Sequence, residues 1–511
     1  MHILRRCWNR MEALPAVNPP AKHDIRLLLA MWFVIAVVVT NAVVYTWRVC
    51  DPMLSFDNWL FVDTFLRNAI EGTLDLGDFL VKRAGVDHAQ PLNKLVMLLD
   101  YKVFGLDFIF EGMAGLAFGV AGLLVLYRMA ASDTRSDDWS PASYALMAAI
   151  AAVYFSLNSS SIYSFSLVTL AYAPSLFAFL TMYAAWHALM NDRWWPLLAA
   201  TLAFGLIGDD SAILGVTVIS LALVWHGWRI GKARQALRAI VVMGVALALC
   251  RGFYLAFGEI RGTTQAMFNV PMTERITGLA AQWRESWRWL VIPAASGIAY
   301  IGPLKGLFGE YWQVAQSMLA AFVLAAHAWF WWTALRTRPR AASFLAVAMM
   351  LLFYAYLAAL LLSRVFVQGS EYLDQPRYVS FYQLGIVALL MMAMASSFGS
   401  RRSGRSGWMG ATAAVVVLLI QVPLTYSAMR EVQHIDIHRL HIAAQLGALV
   451  RDPAVLPADC VPNLRICQMP LQQRERILDL LQQHRLNIFS PHFARMHPQL
   501  VVAAGTPVVG D

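Results

Sequence analysis

Apolar runs of membrane-spanning length recur along the whole chain, and this feature limits the fold more than any other. About twenty consecutive apolar residues are needed for a helix to cross a bilayer. Nine such runs, and one longer stretch that a polar tip divides in two, predict about eleven spans. The sequence therefore predicts an all-α polytopic membrane protein. The runs cover residues 26–48, 108–129, 141–157, 166–189, 195–228, 239–257, 313–335, 341–363, 378–397 and 408–428.

The composition excludes an ordinary soluble domain. Hydrophobic residues make up 59% of the 511 residues and charged residues 14%, whereas a soluble domain carries roughly 25% charged residues. Too few polar groups are present to cover the surface of such a chain in water. The 18 Trp agree with a membrane protein, because Trp collects at membrane interfaces.

The basic residues indicate the orientation. In a soluble protein a net charge of +9 would suggest a nucleic-acid partner, but excess Lys and Arg in short loops is typical of the cytoplasmic side of membrane proteins. The first apolar run is too long for a signal-peptide core, so we interpret it as a retained span with a cytoplasmic N-terminus. We expect no nucleic-acid partner. The short basic loops are 128–140, 190–195, 229–238, 336–340 and 398–407.

The opposite side then receives the long loops. We expect a transmembrane domain over 1–428, with 49–107 as its first extracytoplasmic loop, and a small extracytoplasmic C-terminal domain over 429–511. An oxidising compartment allows a disulfide between Cys460 and Cys467, and two unpaired thiols are the alternative. Acids and aromatic residues concentrate in the outer segments 49–107, 258–312, 364–377 and 429–511.

Asp57 is the most informative acid of the first long loop. It precedes residues 58–70, whose apolar and charged positions fall on opposite faces of a helix. This pattern predicts a helix that lies along the membrane surface. Asp57 could cap this helix. Alternatively, it is an acid at the outer surface that takes a proton from an acceptor hydroxyl or holds a divalent metal.

Asp87 and His88 form a second polar pair in this loop. They stand before Pro91, which opens another apolar helix over 92–104. His88 could orient a phosphate or an acid, or it could be a solvated loop residue. The stretch continues as His88-Ala89-Gln90-Pro91-Leu92-Asn93-Lys94.

Together, the early acid, the surface helix and the His-x-x-Pro-Leu-x-Lys stretch resemble the first luminal loop of GT-C glycosyltransferases. This superfamily includes protein O-mannosyltransferases and lipid A aminoarabinose transferases, whose stretch commonly reads His-Pro-Pro-Leu-Gly-Lys; the first Pro and the Gly are absent here. The chain also resembles uncharacterised bacterial members that pair an early Asp-Asp-Trp with a later His-rich loop segment and carry a Ser-Arg-Tyr near a late span. The matching places are Asp57-Asn58-Trp59 and Pro376-Arg377-Tyr378.

The resemblance implies a GT-C-like fold and a multi-pass protein of the bacterial inner (plasma) membrane. It also implies an inverting glycosyltransferase that moves a sugar from a polyprenyl-phosphate donor to a glycan, lipid or protein on the outer face. Asp57 then takes the catalytic role, with His88 as its companion. Asn58 stands where relatives have a second acid, which puts a paired-carboxylate or metal-binding version in doubt. No cofactor is certain, and a divalent cation is an open alternative.

The leaving polyprenyl phosphate requires positive charge. Arg binds phosphate with two parallel hydrogen bonds, and Arg364 and Arg377 flank the loop between two late spans. Interfacial anchoring is the alternative for both. Lys94 and Lys305 are weaker candidates for the same role. The expected substrate-binding residues are Asp87, Gln90, Lys94, Asp209, Asp210, Arg364, Tyr372, Arg377 and Tyr378.

Asp209 and Asp210 form a second acidic cluster, at the polar tip within 195–228. Adjacent acids near a bilayer are costly and often mark function. They could bind a cation or line an acceptor pocket, with helix caps as the alternative. Residues 276–290 predict a second surface-lying helix. His434, His438 and His441 have a spacing that could hold zinc, but no fourth ligand is evident.

Two other function classes fit such a chain. A transporter or flippase for a lipid-linked or small polar substrate favours charges near the bilayer midplane and repeated halves. Acids in the outer loops and the absence of a sequence repeat favour the enzyme. A structural or polymer-assembly subunit with a degenerate site is the third class, and Asn58 keeps it open.

Overall fold

Helices account for nearly all of the regular structure. The computed structural model describes residues 22–81, 88–132, 139–257, 270–397, 404–457 and 459–505. These residues contain no β-strand, so the predicted all-α class is confirmed. The helices of eight or more residues are α1 (Lys22–Val49), α2 (Pro91–Phe104), α3 (Ile109–Ala131), α4 (Pro141–Tyr154), α5 (Tyr172–Asn191), α6 (Trp194–Ile207), α7 (Asp210–Arg229), α8 (Ala233–Phe257), α9 (Met272–Ala281), α10 (Ser286–Ser296), α11 (Ile301–Phe308), α12 (Trp312–Arg336), α13 (Ala341–Leu360), α14 (Val379–Ser397), α15 (Gly404–Arg451) and α16 (Leu471–Gln483).

Shorter turns of helix complete the chain. Most of them lie in the segments that the sequence predicts to be extracytoplasmic. Their bounds are Phe56–Asn58, Trp59–Phe61, Val62–Leu66, Arg67–Glu71, Leu76–Leu80, Ser161–Ser164, Ser166–Thr169, Trp283–Glu285, Gly309–Tyr311, Leu361–Val365, Phe366–Gln368, Ser370–Asp374, Pro376–Tyr378, Arg465–Gln468, Asn487–Phe489, Pro491–Met496 and Pro498–Ala504.

The described residues include nine helical segments that are long and apolar enough to cross a membrane, together with the shorter apolar helices α4 and α6. Their burial differs because their neighbours differ. In Pro376–Ser397, 78% of the apolar window is buried by protein, whereas the value is 17% in Ile25–Val49 and Trp408–Arg451. The first and last spans therefore present most of their apolar surface to lipid, while α14 is a central helix.

The loops at one end of the bundle carry the basic residues. Arg229 donates to the backbone oxygen of Ala334 over 2.7 Å, and Lys232 donates to that of Met190 over 2.8 Å. These contacts join the segments that follow α5, α7 and α12. They are the short loops that the sequence predicts to be cytoplasmic.

The long loops meet at the opposite end. Asn158 donates to the backbone oxygen of Ser296 over 2.8 Å and accepts from the backbone N–H of Tyr300 over 2.6 Å. Ser159 donates to the backbone oxygen of Pro376 over 2.9 Å. The turn after α4 therefore forms one assembly with two segments that the sequence predicts to be extracytoplasmic, 258–312 and 364–377.

The tail is continuous with the last span and packs on the first loop. Helix α15 runs unbroken through the predicted boundary at 428/429. Asn487 donates to the backbone oxygens of Pro52 over 3.0 Å and Leu106 over 2.7 Å. A hydrophobic cluster joins first-loop residues such as Trp59 to tail residues such as Ile477. The tail and the first loop therefore share one core.

The amphipathic segment 58–70 has a different partner from the one predicted. It folds as helical turns, but Trp59, Val62 and Leu66 are fully buried within the protein. The prediction that this face lies on the membrane surface is wrong, because the tail covers it. Segment 276–290 differs, since it exposes Trp283, Trp287 and Leu290 by more than half of their surface, at 66%, 55% and 54%.

Candidate functional site

A cavity of about 460 Å³ opens among the long loops. Its wall comes from four parts of the chain: the first loop, the turns between α4 and α5, the segment before α14, and the tail. The polar residues that carry its chemistry are Asp57, Gln375, Arg377, His438, Arg465 and Gln468.

Asp57 is held at this wall by its two neighbours. The backbone N–H of Phe56 donates to the backbone oxygen of Asn463 over 2.8 Å. Asn58 is 1% exposed and donates to the hydroxyl of Ser166 over 3.4 Å. The next helix begins at Trp59 with Asn58 at its cap position, so Asp57 is not the helix cap. Asn58 anchors the turn, and Asp57 is left at the cavity.

Arg465 pairs with Asp57 across the cavity wall. Their side chains are 31% and 19% exposed, respectively, so solutes in the cavity can reach both. Arg465 lies between Cys460 and Cys467, which form a disulfide with Cα atoms 6.6 Å apart. Arg465 was not predicted from the sequence. The signal that could have found it is its position inside a short segment bracketed by two Cys.

Arg377 is fixed by two aromatic side chains. Its Nη2 donates to the hydroxyl of Tyr372 over 2.6 Å, and its guanidinium lies 5.2 Å from the ring centre of Tyr378. A guanidinium has five N–H donors, and Tyr372 accepts one of them. Arg377 lines the cavity, whereas Arg364, in the π-helical turn before it, is not among the lining residues.

His88, Asp209 and Asp210 form a second group. Their ligand atoms lie within 4.8 Å of one another, and the backbone N–H of Ala89 donates to Asp209 over 3.0 Å. Arg251 contacts Asp209 over 3.4 Å and also pairs with Asp210. None of these residues lines the Asp57 cavity, so the prediction that His88 acts beside Asp57 is not supported by the geometry.

The chemistry of the second group follows from its charges. An imidazole and two carboxylates are ligands that divalent metals accept. Arg251 already balances the two carboxylates, so a metal ion would have to displace its guanidinium. Arg251 was missed in the sequence, although a single Arg within the apolar run 239–257 marks function by default.

Lys94 has a structural position instead of the expected phosphate-binding one. It is 2% exposed, and its ammonium donates to the backbone oxygens of Asp78 over 2.8 Å, Phe79 over 3.3 Å and Val81 over 2.7 Å. Its three donors are thereby used. Burial lowers the pKa of Lys94 to about 7. Lys94 holds the first loop closed and does not line the cavity.

Gln90 does not join the cavity either. Gln90 precedes α2 with φ +51°, and its side chain is not part of the wall. Asp87 lies outside the described residues. His438 reaches the cavity and contacts Asn463 over 3.4 Å. Within the described chain, the histidine trio 434, 438 and 441 does not form a metal-ligand group.

Comparison with known proteins adds one likeness. No protein-family model matches the chain, and no curated protein is significantly similar to it. The crystal structure of ArnT from Cupriavidus metallidurans bound to undecaprenyl phosphate matches with a TM-score of 0.45 and 13% identity, over 91% of this chain and 88% of that chain. The match assigns no role to any residue of this chain.

A buried acid next to the cavity wall, Asp51, has a raised pKa. Asp51 accepts from the backbone N–H of Met53 over 3.0 Å and is 7% exposed. Burial raises its pKa from 3.8 to about 6, although Arg439 opposes the shift. The folded chain therefore keeps a proton on Asp51 between these two pH values, while the unfolded chain releases it.

This proton makes stability depend on pH. The stabilisation from Asp51 is fully present below about pH 4 and is lost as the pH rises through about 6, because the folded state binds more protons in that window. Relative to wild type, Asp51→Asn is expected to gain about 3 kcal/mol between pH 4 and pH 7. Thermal unfolding in detergent at each pH would measure this gain. A difference in unfolding free energy between the two proteins that does not change with pH would contradict this prediction.

Proposed function

We propose that this chain is an inverting glycosyltransferase that uses a polyprenyl-phosphate sugar on the outer face of the membrane. One observation carries the proposal: the carboxylate of Asp57 and the guanidinium groups of Arg377 and Arg465 line the same cavity. A base and two phosphate-binding groups are the parts that such a displacement needs.

Asp57 acts as the base in this proposal. Its carboxylate takes the proton of an acceptor hydroxyl while the oxygen attacks the anomeric carbon of the donor sugar. The bond between that carbon and the phosphate oxygen breaks, and the polyprenyl phosphate leaves with both bonding electrons. A single displacement inverts the configuration at the anomeric carbon.

Arg377 stabilises the leaving phosphate. The Tyr372 hydroxyl and the Tyr378 ring hold its guanidinium at the wall, so little ordering is needed when an anion arrives. Charge-assisted bonds from Arg to phosphate are strong and directional. The cavity volume of about 460 Å³ lies within the range usual for small-molecule sites.

The orientation follows from the distribution of basic residues. The cavity lies at the end of the bundle opposite to the contacts of Arg229 and Lys232. By the positive-inside rule, that basic end faces the cytoplasm. The cavity and the C-terminus then face outward, and the N-terminus is cytoplasmic in the bacterial inner membrane.

The decisive experiment separates transfer from transport. The chain is reconstituted in vesicles with labelled polyprenyl-phosphate sugars and with envelope lipids, glycans or proteins as acceptors. We expect label on an acceptor and release of polyprenyl phosphate. Accumulation of intact label inside the vesicles, without cleavage of the donor, would instead identify a transporter or flippase.

Replacing Arg377 by Gln is expected to weaken binding of polyprenyl phosphate about tenfold, since one charge-assisted contact is worth about 1.4 kcal/mol or more. Arg377→Lys should retain part of the affinity, because the charge remains but the planar fork is lost. Titration of the purified protein with the lipid phosphate measures both. Arg338→Gln, at the basic end of the bundle, is the matched control. Equal affinities for the Arg377 and Arg338 variants would exclude this role.

A further inference from the structure

We propose that Arg465 changes partners during the reaction, holding Asp57 in the empty cavity and the donor phosphate in the loaded one. The inference rests on the proposed function and adds to it a residue from the tail. In this scheme the donor itself releases the base that the reaction needs.

The ion pair joins two distant parts of the chain at the cavity. Arg465 donates to Asp57 Oδ1, and both side chains line the space where a substrate would bind. While this contact persists, the oxygen that accepts from Arg465 is directed at the guanidinium and away from an acceptor hydroxyl. Opening of this contact frees that oxygen to take a proton from the acceptor.

A phosphate is the ligand that suits this exchange. It offers several charged oxygens to the planar guanidinium fork, which a single carboxylate oxygen cannot match. Arg377, on the same cavity wall, adds a second cation for the same anion. When the phosphate takes Arg465, Asp57 loses this ion pair, and its Oδ1 becomes available to the acceptor.

The loop that presents Arg465 is constrained at both ends. The Cys460–Cys467 disulfide closes it, and within it the backbone oxygen of Asn463 accepts from the backbone N–H of Phe56. A loop closed by a disulfide has fewer accessible conformations, so less conformational entropy is lost when it is held in one position. The guanidinium is therefore held at the cavity in both states, and only its partner changes.

A double-mutant cycle on lipid binding tests the exchange. The probe is undecaprenyl phosphate alone, titrated into the full chain in nanodiscs. We expect Asp57→Asn to tighten binding about fivefold, since it frees Arg465, and Arg465→Gln to weaken it about tenfold. In the Arg465→Gln background, Asp57→Asn should bring no gain. Additive effects would overturn the proposal.

The disulfide supplies an independent test. Cys460→Ser with Cys467→Ser is expected to weaken undecaprenyl phosphate binding several-fold, and to add no further loss in the Arg465→Gln background. The other cysteines of the described chain, Cys50 and Cys250, are buried thiols. Thermal unfolding of each variant checks that the chain is folded. If the two Cys substitutions weakened binding by the same factor in the Arg465→Gln background as in wild type, the disulfide would act independently of Arg465. That result would contradict the exchange.

The two proposals fail in different ways. If the wild-type chain binds undecaprenyl phosphate with the predicted coupling but transfers no sugar, the glycosyltransferase assignment is wrong. If it transfers sugar and the cycle is additive, only the role of Arg465 is wrong. Arg465→Lys should recover part of the binding, because its charge still reaches the phosphate.

Discussion

The variant Asp57→Asn is expected to transfer sugar about 10³-fold more slowly than wild type, because an amide cannot take the proton of the acceptor and general-base catalysis contributes about 10²–10⁴-fold. The amide has the shape of the carboxylate, so the cavity should keep its form. Initial rates at saturating donor measure the effect. Asp57→Ala should be at least as slow.

The matched control is Asp63→Asn. Asp63 lies in the same loop and pairs with Arg67 over 2.7 Å and with Arg476 over 2.9 Å, but it does not line the cavity. Its replacement is expected to change the transfer rate by less than about threefold, because its carboxylate contacts Arg67 and Arg476 and not the cavity. Equal losses in the Asp57 and Asp63 variants would mean that the first loop, rather than its base, was damaged.

The variant Asn487→Ala is expected to destabilise the chain by about 4 kcal/mol, because three buried backbone groups lose their partner. The Asn487 side chain donates to Pro52 and Leu106 and accepts from the backbone N–H of Leu54 over 3.4 Å. It is 1% exposed, so water does not replace these bonds. Chemical unfolding in detergent and protease cleavage of the tail would measure the loss.

Asn191→Ala is the control for this variant. Asn191 ends α5 at the basic end of the bundle and is exposed, with its amide next to His187. Its replacement is expected to change stability by no more than about 0.5 kcal/mol. If Asn487→Ala were equally mild, the hydrogen bonds between the tail and the first loop would not hold these segments together.

The spans were predictable because length and hydropathy are local properties of a sequence. Each predicted apolar run corresponds to an apolar helix, including the divided stretch that became α6 and α7. The amphipathic face of segment 58–70 was equally predictable from the sequence. Its partner was not, since the tail residues that cover it lie about four hundred positions later and no local pattern records that contact.

The site was predictable only in part for the same reason. Asp57 and Arg377 stood out as an acid and a cation beside spans, and they line one cavity. Arg465 sits in a polar tail where charge is unremarkable. His88 was predicted from the first-loop motif and Asp209 from a separate acidic cluster. Their positions depend on Arg251 and on the backbone of the first loop, which sequence spacing does not specify.

The length of α15 has a mechanical consequence. Its 48 residues make a rod about 70 Å long, of which one part has the composition of a membrane span and the other carries His438 to the cavity. A lever of this kind converts a small change of tilt into a larger displacement at its far end. Bilayers of different thickness tilt helices differently. A change in the lipids around the protein would therefore change the shape of the cavity.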